Sequence, residues 1–439
     1  MLTRTYPDNT VFIARRNRLQ ELVSGEAALI LFSGQEGGYI SRFRAESSFV
    51  YLTGYEEPNS CAVLRFGSEP SYTLFVPDKD PAIEIWDGER FGPDLAKKEF
   101  GPDACHPRSE LNALLPNLLR GVDNVYYSLK EANEDRLVLE ARQKAQVLDR
   151  RSGRELAGLL DPKALLGTLR VIKDEHEIKW MQESCDISAR AHQAVMRAAR
   201  PGINERALMG CFLNSIYSQG AMQEGYSSII ASGANATTLH YRANNRDIEK
   251  GDFLLIDAGA EKNYYTADIT RTYPVGTPFS GAQRDFYQAV LDVQKSLIAH
   301  VKVGFSLPEL HQSSCQMLAE KMVDLGLLTG KTSELVEKSA YSKYYPHGVG
   351  HFLGMDVHDV GRSKINDKPR PFEESMVITV EPGIYVPLDD ESAPKELRGL
   401  GVRIEDDILI QKQGPVVLSR LAPKEISELE AIVGQDSKS

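Results

Sequence analysis

The sequence predicts an α/β (α+β) protein of two domains, residues 1–168 and 169–439, and three observations carry that prediction. A chain of 439 residues is longer than one hydrophobic core ordinarily organises. As far as residue 168, short apolar runs alternate with helix-like stretches. Beyond it, two helix pairs are each followed by strands that carry acidic residues, as if one α/β unit occurred twice.

In the first domain the apolar runs AALILF (27–32), SFVYLTG (48–54), CAVLRF (61–66), YTLFVP (72–77) and NVYYSL (124–129) read as strands. Thr168–Glu177 (TLRVIKDEHE) is charged and reads as the junction. From there Ile178, Met181, Cys185, His192 and Val195 recur at helical spacing until Pro201-Gly202 stops the helix. His192 lies on that apolar stripe, so it reads as a buried structural histidine. Gly202 and Leu208 then open a helix ending near Gly220. After a helix over Gln283–Val301, Gly304 and Leu310 open another that ends near Gly326. The repetition predicts two related halves facing a shared site.

The formal charge of −11 argues against nucleic acid or an anionic membrane as partner, because both demand a basic face. No apolar run reaches membrane-spanning length, and the N-terminus lacks the pattern of a secretory signal. Five scattered cysteines without a CxxC pair fit a reducing cytoplasm better than a disulfide framework.

Acidic residues stand where apolar strands should exclude them. Phe253-Leu-Leu-Ile-Asp257 is a strand in which a charge needs a reason, and Ala267-Asp268-Ile-Thr-Arg-Thr-Tyr273 alternates and carries a second acid. A two-residue turn at Lys262-Asn263 would set Asp257 directly opposite Asp268, with Cβ atoms about 4.5–5.5 Å apart. Paired catalytic metals lie about 3.5–4 Å apart, a matching dimension. Met376–Pro382 and Val402–Ile408 supply a second acid pair, Glu381 and Glu405. Period-two counting puts Arg403 beside Glu405 as its partner. Asp406 and Asp407 are weaker candidates, one facing away and one reading as a solvated strand end. Four carboxylates together would repel one another unless divalent cations cancelled their charge, and hard oxygen ligands suit Mn²⁺, with Co²⁺ or Zn²⁺ tolerated.

Three of the nine histidines fall within His347-Gly-Val-Gly-His351-Phe-Leu-Gly-Met-Asp-Val-His358. A zincin helix needs a glutamate between the first two, and the intervening glycines argue for a loop instead. Gly348-Val-Gly350 also lacks the strand and helix that a nucleotide loop requires. One imidazole added to four carboxylates gives two metals enough ligands and leaves room for a hydroxide.

The segments DAG at Asp257, DITRT at Asp268, HGVGHFLGMDVHD from His347, TVEPG at Glu381 and RIEDD at Glu405 resemble the M24 pita-bread metallopeptidases. SSFVYLTGYEEP (47–58) and EIWDGERFGPD (84–94) resemble the amino-terminal domain of that family's aminopeptidase P branch. The resemblance implies an N-terminal creatinase/aminopeptidase P-type α/β domain followed by a pseudo-symmetric pita-bread catalytic domain. It implies two divalent ions, usually Mn²⁺: Asp257 on one, Asp268 and Glu405 on both, His351 and Glu381 completing the other. Glu381 is also implied as proton shuttle, with His240, His347 and His358 on substrate or transition state and Tyr226 and Arg403 near the site. Trp86 corresponds to a residue that reaches a neighbouring subunit's site in tetrameric relatives, which implies a homo-oligomer, dimer or tetramer. The implied reaction is hydrolysis of the bond between an N-terminal residue and a proline at position two. A prolidase using the same metal site is the nearest alternative, and a metal-free pita-bread binding protein a more distant one.

Overall fold

The computed structural model describes residues 5–6, 8–37, 42–69, 71–150, 153 and 158–437. The chain divides into two units, Met1–Leu169 and Arg170–Ser439.

The first unit is built on a six-stranded mixed sheet. Its strands are β1 (Ala27–Phe32), β2 (Cys61–Phe66), β3 (Ser71–Val76), β4 (Ala104–Pro107), β5 (Asn124–Tyr126) and β6 (Gly158–Leu160), in the order β4-β3-β2-β1-β5-β6. β1 pairs antiparallel with β2, from Ala27↔Phe66 to Phe32↔Cys61, and parallel with β5. These strands read as continuous apolar runs because the central sheet is covered. Ile30, Val63 and Phe75 share one core with Leu111, Leu115 and Val138. One run is not a strand: Ser47–Thr53 is a helix, capped by the Glu46 carboxylate on the Phe49 amide and ended by Gly54 in the left-handed region. All seven residues are buried, so the run has no polar face, and without one periodicity does not separate helix from strand. The short β4 and β6 carry too few residues to show a pattern.

In the second unit, helix Glu175–Ala198 opens on a capping box between Asp174 and Glu177 and packs beside helix Glu205–Ser218. Helix Gly281–His300 opens on the same device, Ser280 with Gln283, and packs beside helix Leu307–Asp324. Each pair feeds one antiparallel hairpin. The first joins Phe253–Asp257 to Thr270–Pro274, and the second joins Val377–Val380 to Asp406–Leu409. Val195, Leu208, Leu297, Leu310, Ile256 and Ile378 belong to a single core, so the helix pairs back the hairpins from outside. The hairpins meet at an antiparallel bridge, Thr270↔Glu405, where the Glu405 amide donates to the Thr270 carbonyl at 3.1 Å. That is the duplicated architecture expected from the repeat. His192 is buried, with Nε2 2.9 Å from the Ala258 carbonyl, a structural histidine behind Asp257.

Candidate metal centre

The first acid pair sits in a different register from the one expected. The turn falls at Asn263-Tyr264, both at positive φ (51° and 66°), as a two-residue hairpin turn of this hand requires. It lies one residue beyond Lys262-Asn263, and the pairing therefore shifts by two. Asp257 faces Thr270, and Asp268 lies diagonally across rather than opposite. A shift of two keeps every side chain on its face, so both carboxylates still point the same way. Gly259 makes the crossing possible, because a Cβ there would lie 1.8 Å from the Ala267 carbonyl oxygen. The Tyr226 hydroxyl bridges the pair, 2.7 Å from Asp257 and 2.5 Å from Asp268.

The second pair is directly opposed. Val380↔Asp406 and Gly383↔Arg403 belong to one register, and carrying it across the break puts Glu381 opposite Glu405. Thr270 Oγ1 donates to Glu405 at 2.6 Å, tying this acid to the first hairpin. His351 projects from an irregular loop, as its flanking glycines foretold. Its Nε2 lies 3.4 Å from Asp268 and 3.6 Å from Glu381, while Nδ1 is 3.1 Å from the Phe352 carbonyl. Ligand atoms of Asp268, His351 and Glu405 all fall within 4.8 Å of one another.

Arg403 does not pair with Glu405. Its guanidinium crosses to the first hairpin, donating to Asp257 at 2.6 Å, Thr270 Oγ1 at 3.2 Å and the Tyr385 hydroxyl at 3.0 Å. Asp406 and Asp407 are both fully buried, so neither is a solvated strand end. Asp406 lies between Arg271 and Lys424, which hold it below the usual carboxylate range against the opposing effect of burial. Asp407 accepts the Asp268 amide at 3.0 Å and the Cys185 thiol at 3.1 Å, bracing the first hairpin from behind.

The electrostatics fit a cation. Burial, reinforced by the charge of Asp257, pushes Asp268 up. Burial with Asp268 and Asp257 raises Glu381 to about 7. Burial with Asp268 and Glu381 lifts Glu405 well above the carboxylate range. His351 is raised to about 9: burial opposes its charge, and the hydrogen bond and charge of Asp268 and the charge of Glu381 more than offset it. Tyr226 has one proton for two carboxylates. These buried acids are short of positive charge, and a divalent ion supplies it.

A cavity of about 430 Å³ opens above the acids, walled by Leu239, His240, Val357 and His358, with His347 and Tyr226 at its edges. That volume lies in the range of small-ligand sites, roughly 300–1,000 Å³. His347 is pushed down to about 4 by burial and by Arg403. Its Nδ1 lies 2.7 Å from the Gly348 carbonyl and its Nε2 2.8 Å from the Tyr385 hydroxyl. Since that hydroxyl accepts from Arg403, its own proton points to His347. Tyr385 was not singled out in the sequence; its signal was the period-two step from Gly383, which faces Arg403. His358 lies edge-on to His351, ring centroids 4.3 Å apart; burial and the His351 charge lower it. His240 is exposed on the wall. Trp86 belongs to the other unit, 86 % exposed on helix Pro81–Asp87, which buries none of its residues. A larger depression of about 590 Å³ near Pro201 and Phe279 gathers no histidines or paired acids.

Residues 179–412 match the model of metallopeptidase family M24, and residues 12–126 match that of the aminopeptidase P N-terminal domain. The chain belongs to metallopeptidase family M24, and it is a peptidase that uses a divalent metal. Its relatives define the branch. It is 36 % identical to a Haemophilus influenzae Xaa-Pro aminopeptidase over 96 % of both chains. It is 35 % identical to the Escherichia coli Xaa-Pro aminopeptidase over 96 % of this chain and 97 % of that one. The fold superposes on the Pseudomonas aeruginosa aminopeptidase PepP with a TM-score of 0.94, at 35 % identity and full coverage of both. The architecture is the expected one, an aminopeptidase P-type N-terminal domain followed by a pita-bread catalytic domain.

Proposed function

We propose that the protein is an Xaa-Pro aminopeptidase, hydrolysing the bond between an N-terminal residue and a proline at position two. The observation that carries this reading is the meeting of Asp268, His351 and Glu405 beneath the His240–His358 cavity, in a chain similar to enzymes of that name over nearly its whole length. These relatives are named for aminopeptidase activity rather than for the dipeptidase activity of a prolidase.

Two divalent ions, Mn²⁺ before Co²⁺ or Zn²⁺, suit the donor set. Four carboxylates against the single guanidinium of Arg403 leave three negative charges. One divalent ion would leave the site anionic, whereas two make it cationic, the condition that lowers the pKa of water toward neutrality and retains hydroxide. Asp257 would serve one ion, Asp268 and Glu405 both, and His351 with Glu381 the other.

Glu381, beside the attacking water, would take a proton from it and pass it to the leaving proline nitrogen. His240 or His358, both on the cavity wall, would donate to the developing oxyanion. Arg403 fixes Asp257, beside which the substrate's amino terminus would lie. Leu239 and Val357 offer the proline ring an apolar wall. Tyr385 keeps the neutral His347 in one tautomer at the cavity edge. We infer a homo-oligomer in which exposed Trp86 reaches a neighbouring copy, and a reducing, cytoplasmic setting consistent with five free cysteines. Among the described residues no helix is long and apolar enough to cross a membrane.

A peptide panel assayed with added Mn²⁺, Co²⁺ and Zn²⁺ tests the reading. Release of the first residue from Xaa-Pro-Yaa peptides, with Mn²⁺ most effective, is the expected result. Cleavage confined to Gly-Pro would establish a prolidase, and no hydrolysis with any ion would favour a binding protein.

A further inference from the structure

The charged segment Thr168–Glu177 is no solvated junction where it enters the second unit. The side chains of Arg170 and Lys173 are 1 % and 0 % exposed, and buried cations of this kind need a partner. Both converge on one carboxylate, Asp359, itself 1 % exposed. Lys173 lies 3.2 Å from it, Arg170 hydrogen-bonds it directly, and Arg170 also reaches Asp356 at 2.8 Å.

Asp359 immediately follows His358. Its amide donates to the Phe352 carbonyl at 2.9 Å, closing residues 352–359 into a loop. His351 precedes one end of that closure and His358 precedes the other. The loop is tied to both halves: the Thr266 amide donates to the Gly354 carbonyl at 3.0 Å, and the Leu353 amide to the Val377 carbonyl at 3.1 Å. Gly354 leaves room for the clamp, because a Cβ there would lie 2.1 Å from an Asp359 carboxylate oxygen. The two imidazoles stand 4.3 Å apart at 68°, so a rotation of the loop would move both together.

We propose that Asp359, clamped by Arg170 and Lys173, is a positioning residue that sets the rings of His351 and His358. It touches neither substrate nor metal; it acts through the loop. The inference rests on the reading of His351 as a metal ligand. Groups that orient ligands from outside the coordination shell typically change metal affinity or activity by about 10–100-fold when removed.

The test uses the full-length protein with Co²⁺ as probe, measuring visible absorption, cobalt affinity and kcat against KM on an Xaa-Pro peptide, all well below the unfolding temperature. Asp359→Asn is expected to weaken cobalt binding and lower kcat by about 10–100-fold, and to alter the cobalt absorption bands. Lys173→Met keeps the Arg170 pair, should fold if Asp359→Asn does not, and should shift each readout in the same direction by less. Lys173→Arg restores the charge and should recover the wild-type spectrum and kcat. Folded variants of lower stability but unchanged spectrum, affinity and kcat would reduce the clamp to a packing role and overturn the proposal. A wild-type protein that takes up no cobalt would remove the metal reading itself, and the positioning role with it.

Discussion

Stripping the metal should make stability fall as pH rises. In the metal-free protein His351 is raised from 6.5 to about 9 by Asp268 and Glu381, against burial, which corresponds to about 3 kcal/mol. Below pH 6.5 the folded and unfolded chains both hold this proton and the stabilisation is complete. As pH rises the unfolded chain releases it first, and the contribution is gone once pH passes 9. Glu381, raised to about 7 by burial, acts with the same sign, but its share is spent by about pH 7. His192 and His347, lowered to about 4 by burial, act oppositely only below 6.5. Between pH 7 and 9 the metal-free protein should therefore lose about 2 kcal/mol, near 4–8 °C in Tm for a unit of this size. With an ion on Nε2 the proton is already displaced, the decline disappears, and the gain from metal widens with pH. The assay is urea unfolding with Mn²⁺ or EDTA across that range. Trp180 is 8 % exposed in the catalytic unit and Trp86 is 86 % exposed in the other, so the fluorescence change reports chiefly on the unit that holds the site. Parallel curves with and without Mn²⁺, or a metal-free protein as stable at pH 9 as at pH 7, would refute the crowding argument.

His351→Ala and Glu381→Ala should each leave a folded protein by circular dichroism and reduce peptide turnover below detection; near-normal turnover in either would remove the proposed ligand and proton roles. Tyr385→Phe deletes the hydroxyl between His347 and Arg403 (2.8 and 3.0 Å). It should lower kcat by about 10-fold with stability changed by no more than about 1.5 kcal/mol, read from paired kinetics and urea titration. Trp86→Ala, at an exposed position, should change stability by less than about 0.5 kcal/mol; if Trp86 serves a neighbouring copy, KM rises in the oligomer isolated by gel filtration while kcat holds.

The site was more legible than the scaffold around it, for a physical reason. A carboxylate inside an apolar strand is conspicuous because burial penalises it, and Asp257, Asp268, Glu381 and Glu405 all stood out on that ground. Their pairing was less legible. Hairpin register depends on which residues accept positive φ, and Asn263-Tyr264 was not distinguishable from Lys262-Asn263 by residue type alone. The error cost little because a two-residue slip preserves faces. Arg403 was located, but its partner was not: strand counting finds neighbours along a strand, whereas Asp257 approaches from the other hairpin. SFVYLTG was misread because complete burial erases the period that separates helix from strand. Arg170 and Lys173 were hidden for the converse reason, since charges in sequence suggest solvent and only the fold brings Asp359 to them.

These differences follow from how the carboxylates and the imidazoles are held. The carboxylates sit on hairpins whose registers are set by ladder hydrogen bonds and by helix pairs packed behind them, so their spacing is fixed before any ion arrives. The imidazoles sit on an irregular loop, which has no ladder and needs another source of rigidity. The loop's anchors supply it: two backbone bonds to the hairpin regions, and a buried carboxylate held by two buried cations. On this division, changes behind the hairpins, as at Asp407 or Gly259, should act first on folding. Changes at Asp359 should act first on the geometry of His351 and His358. Comparing Gly259→Ala with Asp359→Asn by unfolding and by cobalt absorption separates the two: overpacking at Gly259 should cost at least about 1–3 kcal/mol, whereas Asp359→Asn should move the cobalt bands even at temperatures where the protein remains fully folded.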